Sequence, residues 1–167
     1  MEPDLLKFGL EEQDSILRSK IGTPYINFSL NDLNGNEFTE EQLVGKVTLI
    51  NFWFESCAPC IAEFNDLNDL YEKMKDNPSF QFLSITRDSP EMAKESIKAH
   101  KLPYQIYTAS NAECSRLNFK QGYPTTIVTD KHGIIRFMKS GGNLEKEKII
   151  AQVEIYKQEI LKLLDEL

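Results

Sequence analysis

Cys57 and Cys60, in the run Cys57-Ala58-Pro59-Cys60, are the residues in this sequence best suited by type and spacing to do chemistry. Two thiols this close support thiol–disulfide exchange. That reaction takes one accessible thiolate to attack a disulfide and a second thiol near enough to resolve the mixed disulfide. Residues at i and i+3 share a helix face. With Cys57 at a helix start, the free N–H groups and the positive end of the helix dipole favour its thiolate. Cys57 is then the nucleophile and Cys60 the resolving thiol. Pro59 suits the first helical turn, where its missing N–H removes no helical hydrogen bond. The competing use of the pair is half a zinc site. Zinc takes four ligands, and the chain holds no second C-x-x-C and no H-x-x-x-H. Cys114, His100 and His132 are the other candidates and are scattered. Neither a metal nor a cofactor is expected.

The elements that must position this pair are legible around it. The run Val47-Thr48-Leu49-Ile50-Asn51-Phe52-Trp53-Phe54 reads as a buried strand feeding the motif directly. Lys46–Phe54 is thus the central strand, and Cys57–Asp76 reads as one long helix. Its apolar face carries Ile61, Phe64, Leu67, Leu70, Tyr71 and Met74. Upstream, Tyr25–Leu30 and Glu37–Thr39 read as strands joined by a turn at Asn34-Gly35-Asn36. Thr39-Glu40-Glu41-Gln42 has capping-box spacing and opens a helix stopped at Gly45. Downstream come a strand at Phe80–Thr86, a helix from Ser89-Pro90-Glu91 to about His100, an extended segment at Gln105–Tyr107 and a helix at Asn111–Phe119. Thr125–Thr129 and Ile134–Met138 flank the turn Asp130-Lys131-His132-Gly133 as a hairpin. A last helix starts near Asn143, with Ile149, Val153, Tyr156, Ile160 and Leu163 at core spacing. This order implies an α/β fold: a mixed central sheet flanked by helices, with an N-terminal β-hairpin. Residues 1–20 are expected as an arm, with a short helix around Glu11–Ser19, and residues 21–167 as the domain.

The whole chain narrows the function class. At 167 residues it fits one domain with a sizeable core. Its net charge of −7 argues against a nucleic-acid surface. The longest apolar run, Val47–Phe54, is far too short to span a membrane. The N-terminus has neither a basic start nor an apolar segment of the export type. Met1 is either the native start or a start following a trimmed signal or membrane tether, and the residues leave both open. Three cysteines leave one odd thiol, which is not a disulfide-scaffold pattern.

With these residues in view, the chain resembles the thioredoxin fold and, more narrowly, the TlpA/ResA family of bacterial thiol–disulfide oxidoreductases. The likeness is carried by Asn51-Phe52-Trp53, Cys57-Ala58-Pro59-Cys60, Glu63 and Gly122-Tyr123-Pro124-Thr125-Thr126. Ile21-Gly22-Thr23-Pro24, Asn27-Phe28 and Leu33-Asn34-Gly35 are similar to that family's N-terminal hairpin. The resemblance runs from about Ile21 to the C-terminus. It implies a cis peptide between Tyr123 and Pro124 lying against the disulfide, where spacing alone favours an ordinary trans turn. It also implies that Tyr123, Pro124 and Trp53 form the substrate-docking surface, with Trp53 packed under the active site. Glu63 lies three residues after Cys60 and shares its helix face. By spacing alone Glu63 is a solvated residue; the resemblance implies a buried carboxyl that takes the Cys60 proton. Asn51 stands where thioredoxins proper carry a buried acid, which moves the proton role to Glu63. Ser56 replaces an aromatic common before the first cysteine, leaving the Cys57 sulfur less shielded.

The expected partners are protein thiols or disulfides and an upstream electron donor, with the protein itself a monomer. The branch usually faces the periplasm or cell envelope; the cytoplasm is the alternative. Ala58 and Pro59 place no cation between the cysteines, so the thiolate is stabilised less than in strong oxidants, and a reductase is expected. A peroxiredoxin-type peroxidase shares the fold, but its Pro-x-x-x-Thr-x-x pattern is absent before Cys57. A metal carrier would need C-x-x-x-C and a partnering His, also absent. A structural interaction module is a fourth reading. Cys114 reads as a buried inert thiol, and Arg87-Asp88 as a solvated loop pair able to line the site.

Overall fold

The computed structural model describes residues 3–167, with side chains from Glu12 onward. Its elements are α1 (Pro3–Lys20), β1 (Ser29–Asp32), β2 (Glu37–Thr39), a 3-10 turn (Glu40–Leu43), β3 (Val47–Trp53), α2 (Ala58–Ala62), α3 (Phe64–Met74), β4 (Phe80–Thr86), α4 (Pro90–His100), β5 (Ile106–Thr108), α5 (Asn111–Leu117), β6 (Thr125–Thr129), β7 (Ile135–Ser140) and α6 (Lys146–Asp165). The seven strands form one sheet in the order β2-β1-β5-β4-β3-β6-β7. The β3–β4 and β4–β5 pairs are parallel and the other four pairs antiparallel. This is the mixed, helix-flanked sheet expected from the element order. The N-terminal hairpin is not separate from it, because β1 also pairs with β5.

The central strand β3 is buried along its whole length, which explains its near-continuous apolar run. Strand periodicity sends alternate residues to opposite faces. Val47, Leu49 and Trp53 enter one core with Phe64, Leu67, Leu70, Ile149, Val153 and Tyr156 of α3 and α6. Ile50 and Phe52 enter the other core with Leu43, Cys114 and Leu117. Asn51 lies between Leu49 and Trp53 in this alternation. A polar residue is therefore aimed into the layer under the cysteine motif.

Three expectations need correction. Residues 57–76 form two helices, not one. The break falls at Glu63 (φ −91°, ψ −6°), whose N–H bonds back to the Cys60 carbonyl at 3.3 Å. That i→i+3 bond tightens the chain where the Glu63 carboxyl turns into the core. The first strand is Ser29–Asp32 rather than Tyr25–Leu30. Tyr25 and Phe28 instead bury their rings against each other, with centroids 5.7 Å apart. The N-terminal helix runs from Pro3 to Lys20, far longer than Glu11–Ser19. It is docked: Gln13 Nε2 donates to Ser140 Oγ on β7 at 2.7 Å, and Lys20 Nζ sits 4.6 Å above the Phe119 ring.

Candidate active site

Cys57 and Cys60 are joined as a disulfide, with Cα atoms 5.2 Å apart. Cys57 is the N-cap of α2, directly beyond the loop that leaves β3, and Pro59 occupies the first turn. The Cys60 N–H donates to Cys57 Sγ at 3.3 Å. Cys57 retains 5% exposure and Cys60 none. Of the two residues, only Cys57 keeps any exposure to a partner. This asymmetry is the geometric basis for distinct attacking and resolving roles.

Glu63 is 2% exposed and lies in the polar pocket set up by Asn51. Asn51 Nδ2 donates to Glu63 Oε1 at 3.0 Å and to Thr126 Oγ1 at 3.0 Å. On the other side, Gln152 Nε2 of α6 donates to Glu63 Oε2 at 3.3 Å and also to the Tyr156 hydroxyl. Gln152 Oε1 in turn accepts from Asn143 Nδ2 at 2.9 Å, which carries the chain of polar groups to a half-buried loop. Loss of water around Glu63 pushes its carboxyl up to about 7. The Asn51 bond and the Lys139 charge oppose that rise, and Asp66 adds to it. A carboxyl with this balance changes protonation near neutral pH, which suits a group exchanging a proton with a thiol.

The peptide between Tyr123 and Pro124 is cis, as the family resemblance implies. Pro124 is buried beside the motif, and the loop after β7 closes over both. The Gly141 N–H donates to the Pro124 carbonyl at 2.8 Å. A Cβ on Gly142 would lie 2.9 Å from Pro124 Cγ and 3.1 Å from Pro59 Cβ. Gly142, Pro124 and Pro59 thus meet at one point next to the disulfide. Tyr123 is half-buried, edge-to-face on Phe54 with ring centroids 5.1 Å apart.

Trp53 departs from the expected docking role. Its side chain is fully buried, its Nε1 donates to Ser84 Oγ at 2.8 Å, and its ring packs edge-on to Phe64. It supports the active-site helices from below and presents nothing to a substrate. Cys114 is fully buried as expected, and burial pushes its thiol up to about 11. His132 lies in the β6–β7 turn. Among the described residues no three His, Cys, Asp or Glu side chains converge as a metal site.

Sequence reasoning missed two groups, Gln152 and Glu55. Gln152 holds Glu63, and its signal was available: it is a polar residue among the core positions Ile149, Val153 and Tyr156. Glu55, two residues before Cys57, is anchored to α4; it accepts from the Ser96 hydroxyl, and His100 Nε2 lies 3.0 Å from its Oε1. The Glu55 N–H donates to Asp88 Oδ2 at 2.7 Å. Arg87, expected as half of a solvated loop pair able to line the site, lies over Phe54. No periodicity announces these last contacts, because they join segments distant in sequence.

A family model described as the AhpC/TSA family matches residues 21–138. The chain belongs to the AhpC/TSA family. Within that frame it is 31% identical over 133 residues to thiol-disulfide oxidoreductase YkuV of Bacillus subtilis, covering 73% of this chain and 89% of the relative. It is 29% identical over 144 residues to thiol-disulfide oxidoreductase ResA of Bacillus cereus, covering 86% of this chain and 80% of the relative. Among solved structures, a chain described as a thiol:disulfide interchange protein DsbE from Chlorobium tepidum superposes with a TM-score of 0.75 at 23% identity, covering 86% of this chain and 97% of that one. At that identity the superposition establishes the thioredoxin-like fold alone. This AhpC/TSA member is a thiol–disulfide oxidoreductase, and the peroxidase alternative is not favoured.

Proposed function

We propose that this protein reduces disulfides in polypeptide substrates, with Cys57 attacking, Cys60 resolving and Glu63 handling the proton. The observation that carries the reading is the asymmetry of the pair: Cys57 keeps 5% exposure and Cys60 none, with a buried carboxyl one turn beyond. In the reduced enzyme the Cys57 thiolate attacks a substrate sulfur. The substrate S–S bond breaks, a Cys57–substrate disulfide forms, and the departing thiolate takes a proton. The Glu63 carboxylate accepts the Cys60 proton, and the Cys60 thiolate attacks Cys57 Sγ. The second substrate sulfur leaves and is protonated, and the Cys57–Cys60 disulfide remains. Two electrons have passed to the substrate, and a dithiol donor restores the couple. Pro124 and Tyr123 would hold the substrate chain beside Cys57, with Gly142 completing the wall.

The reducing direction is supported by the uncharged pair Ala58-Pro59 between the cysteines. The family resemblance supports a periplasmic or envelope-facing place of action for residues 21–167, with residues 1–20 as an appended helical arm. Insulin disulfide reduction in the presence of dithiothreitol tests the reading. The parent protein accelerates it; Cys57→Ser abolishes the acceleration, and Cys60→Ser accumulates a mixed disulfide. Full activity in Cys57→Ser, or peroxide consumption outrunning disulfide reduction, overturns it.

A further inference from the structure

Arg87 differs from the other three arginines. Arg18 pairs with Asp14, Arg116 with Glu113, and Arg136 with Asp130 and Glu166. Among the described residues Arg87 has no carboxylate partner, in a chain with 26 acidic and 19 basic side chains. The acids near it are committed elsewhere. Asp88 Oδ2 accepts from the Glu55 N–H and lies within hydrogen-bond reach of Thr86 Oγ1. Glu55 is engaged by Ser96 and His100.

The Arg87 guanidinium is nevertheless held. Its carbon lies 3.8 Å from the Phe54 ring centroid and 5.3 Å from that of Tyr123, and Nη1 donates to Asn111 Oδ1 at 3.2 Å. Those rings come from the two segments that carry the chemistry. Phe54 is three residues before Cys57, and Tyr123 directly precedes Pro124. Stacking on aromatic faces fixes the guanidinium plane while using none of its five N–H donors. One donor goes to Asn111, which leaves an exposed edge for a carboxylate, the group this fork matches.

We propose that Arg87, seated on Phe54 and Tyr123, is a specificity-determining residue that recognises an acidic side chain next to the disulfide of a polypeptide substrate. This rests on the reduction of polypeptide disulfides proposed above. A chain lying along Pro124 with its sulfur at Cys57 passes Tyr123, so an Asp or Glu a residue or two from its cysteine meets the free guanidinium edge. A basic residue there meets the same cation and is disfavoured.

Two disulfide peptides of one sequence, differing only in Glu or Lys beside the cysteine, test this. The readout is the ratio of their kcat/KM values, which does not depend on the fraction of protein correctly folded. For the parent protein the Glu peptide is favoured about fivefold, the scale of one favourable exposed pair. The ratio falls toward one in Arg87→Gln, drops below one in Arg87→Glu, and shrinks at ~0.5 M salt. A parent ratio near one, or an unchanged ratio in Arg87→Gln, overturns the assignment and leaves the reductase reading intact. Reduction of neither peptide by the parent protein overturns both.

Discussion

At the scale of single residues, Glu63 has the most to account for. A carboxyl with 2% exposure is costly to ionise, yet Asn51 and Gln152 both donate N–H groups to its oxygens. Burial raises the carboxyl and the Asn51 bond with the Lys139 charge opposes that rise, which leaves it at about 7. The consequence for stability has a definite sign. Between pH 4.5 and about 7 the unfolded chain has released this proton while the folded chain keeps it. Folding is therefore favoured most below that window and loses up to about 3 kcal/mol as pH rises through it. Glu63→Gln removes the titration. In urea unfolding of the oxidised protein, the variant should gain on the parent by that order between pH 4.5 and 8. Parallel stability curves for the two proteins would mean that Glu63 is not the buried titrating group described. The pairing of Asn51 with Glu63 shows what was legible here. The offset of Glu63 from Cys60 and the alternation of β3 both point inward, but nothing in spacing says they point at each other.

At the scale of elements, the site is an intersection of loops held by regular structure. The strand β3 delivers Cys57 and α6 supplies Gln152. The open end of the β6–β7 hairpin brings Pro124 and the Gly141-Gly142 loop together. Gly142 has an ordinary backbone conformation, so its constraint is space alone. Gly142→Ala puts a methyl group 2.9 Å from Pro124 Cγ, and the loop must move outward. Overpacking of this kind costs about 1–3 kcal/mol. The variant is expected to unfold at lower denaturant and to reduce insulin more slowly; a parent-like midpoint and rate would show that the three residues do not meet as described. Element boundaries were legible where local chemistry set them. Phe80–Thr86 is found at its expected ends because an apolar run stops at a charged pair. The break at Glu63 was not legible, since the apolar period runs through it from Ile61 and Phe64 to Leu67 without a Gly or Pro. The first strand starts at Ser29, where its pairing with β2 begins, and runs on to Asp32, whose partner is Tyr107 of β5, a contact 75 or so residues away that no local pattern encodes.

At the scale of the whole molecule, the mixed sheet with its two cores was readable from the order of elements, and the functional class from the motif that follows its central strand. The docking of α1 on β7 was not, because the contacts described for it, such as Gln13 with Ser140 and Leu17 on the second core, join segments distant in sequence. The surface is acidic overall, and no helix among the described residues is long and apolar enough to cross a membrane. The net charge is −7, and Arg87, beside the redox site, has no carboxylate partner among the described residues, which is why the proposed preference for acidic substrates is a matter of charge. What decides whether the molecule gives or takes electrons is the potential of the Cys57/Cys60 couple. The most direct test equilibrates the full chain with dithiothreitol or glutathione redox buffers at pH 7 and reads the fraction of Cys57–Cys60 disulfide. The account predicts a reducing couple near the thioredoxin value of about −270 mV; a value near the ~−120 mV of a strong oxidant would contradict it.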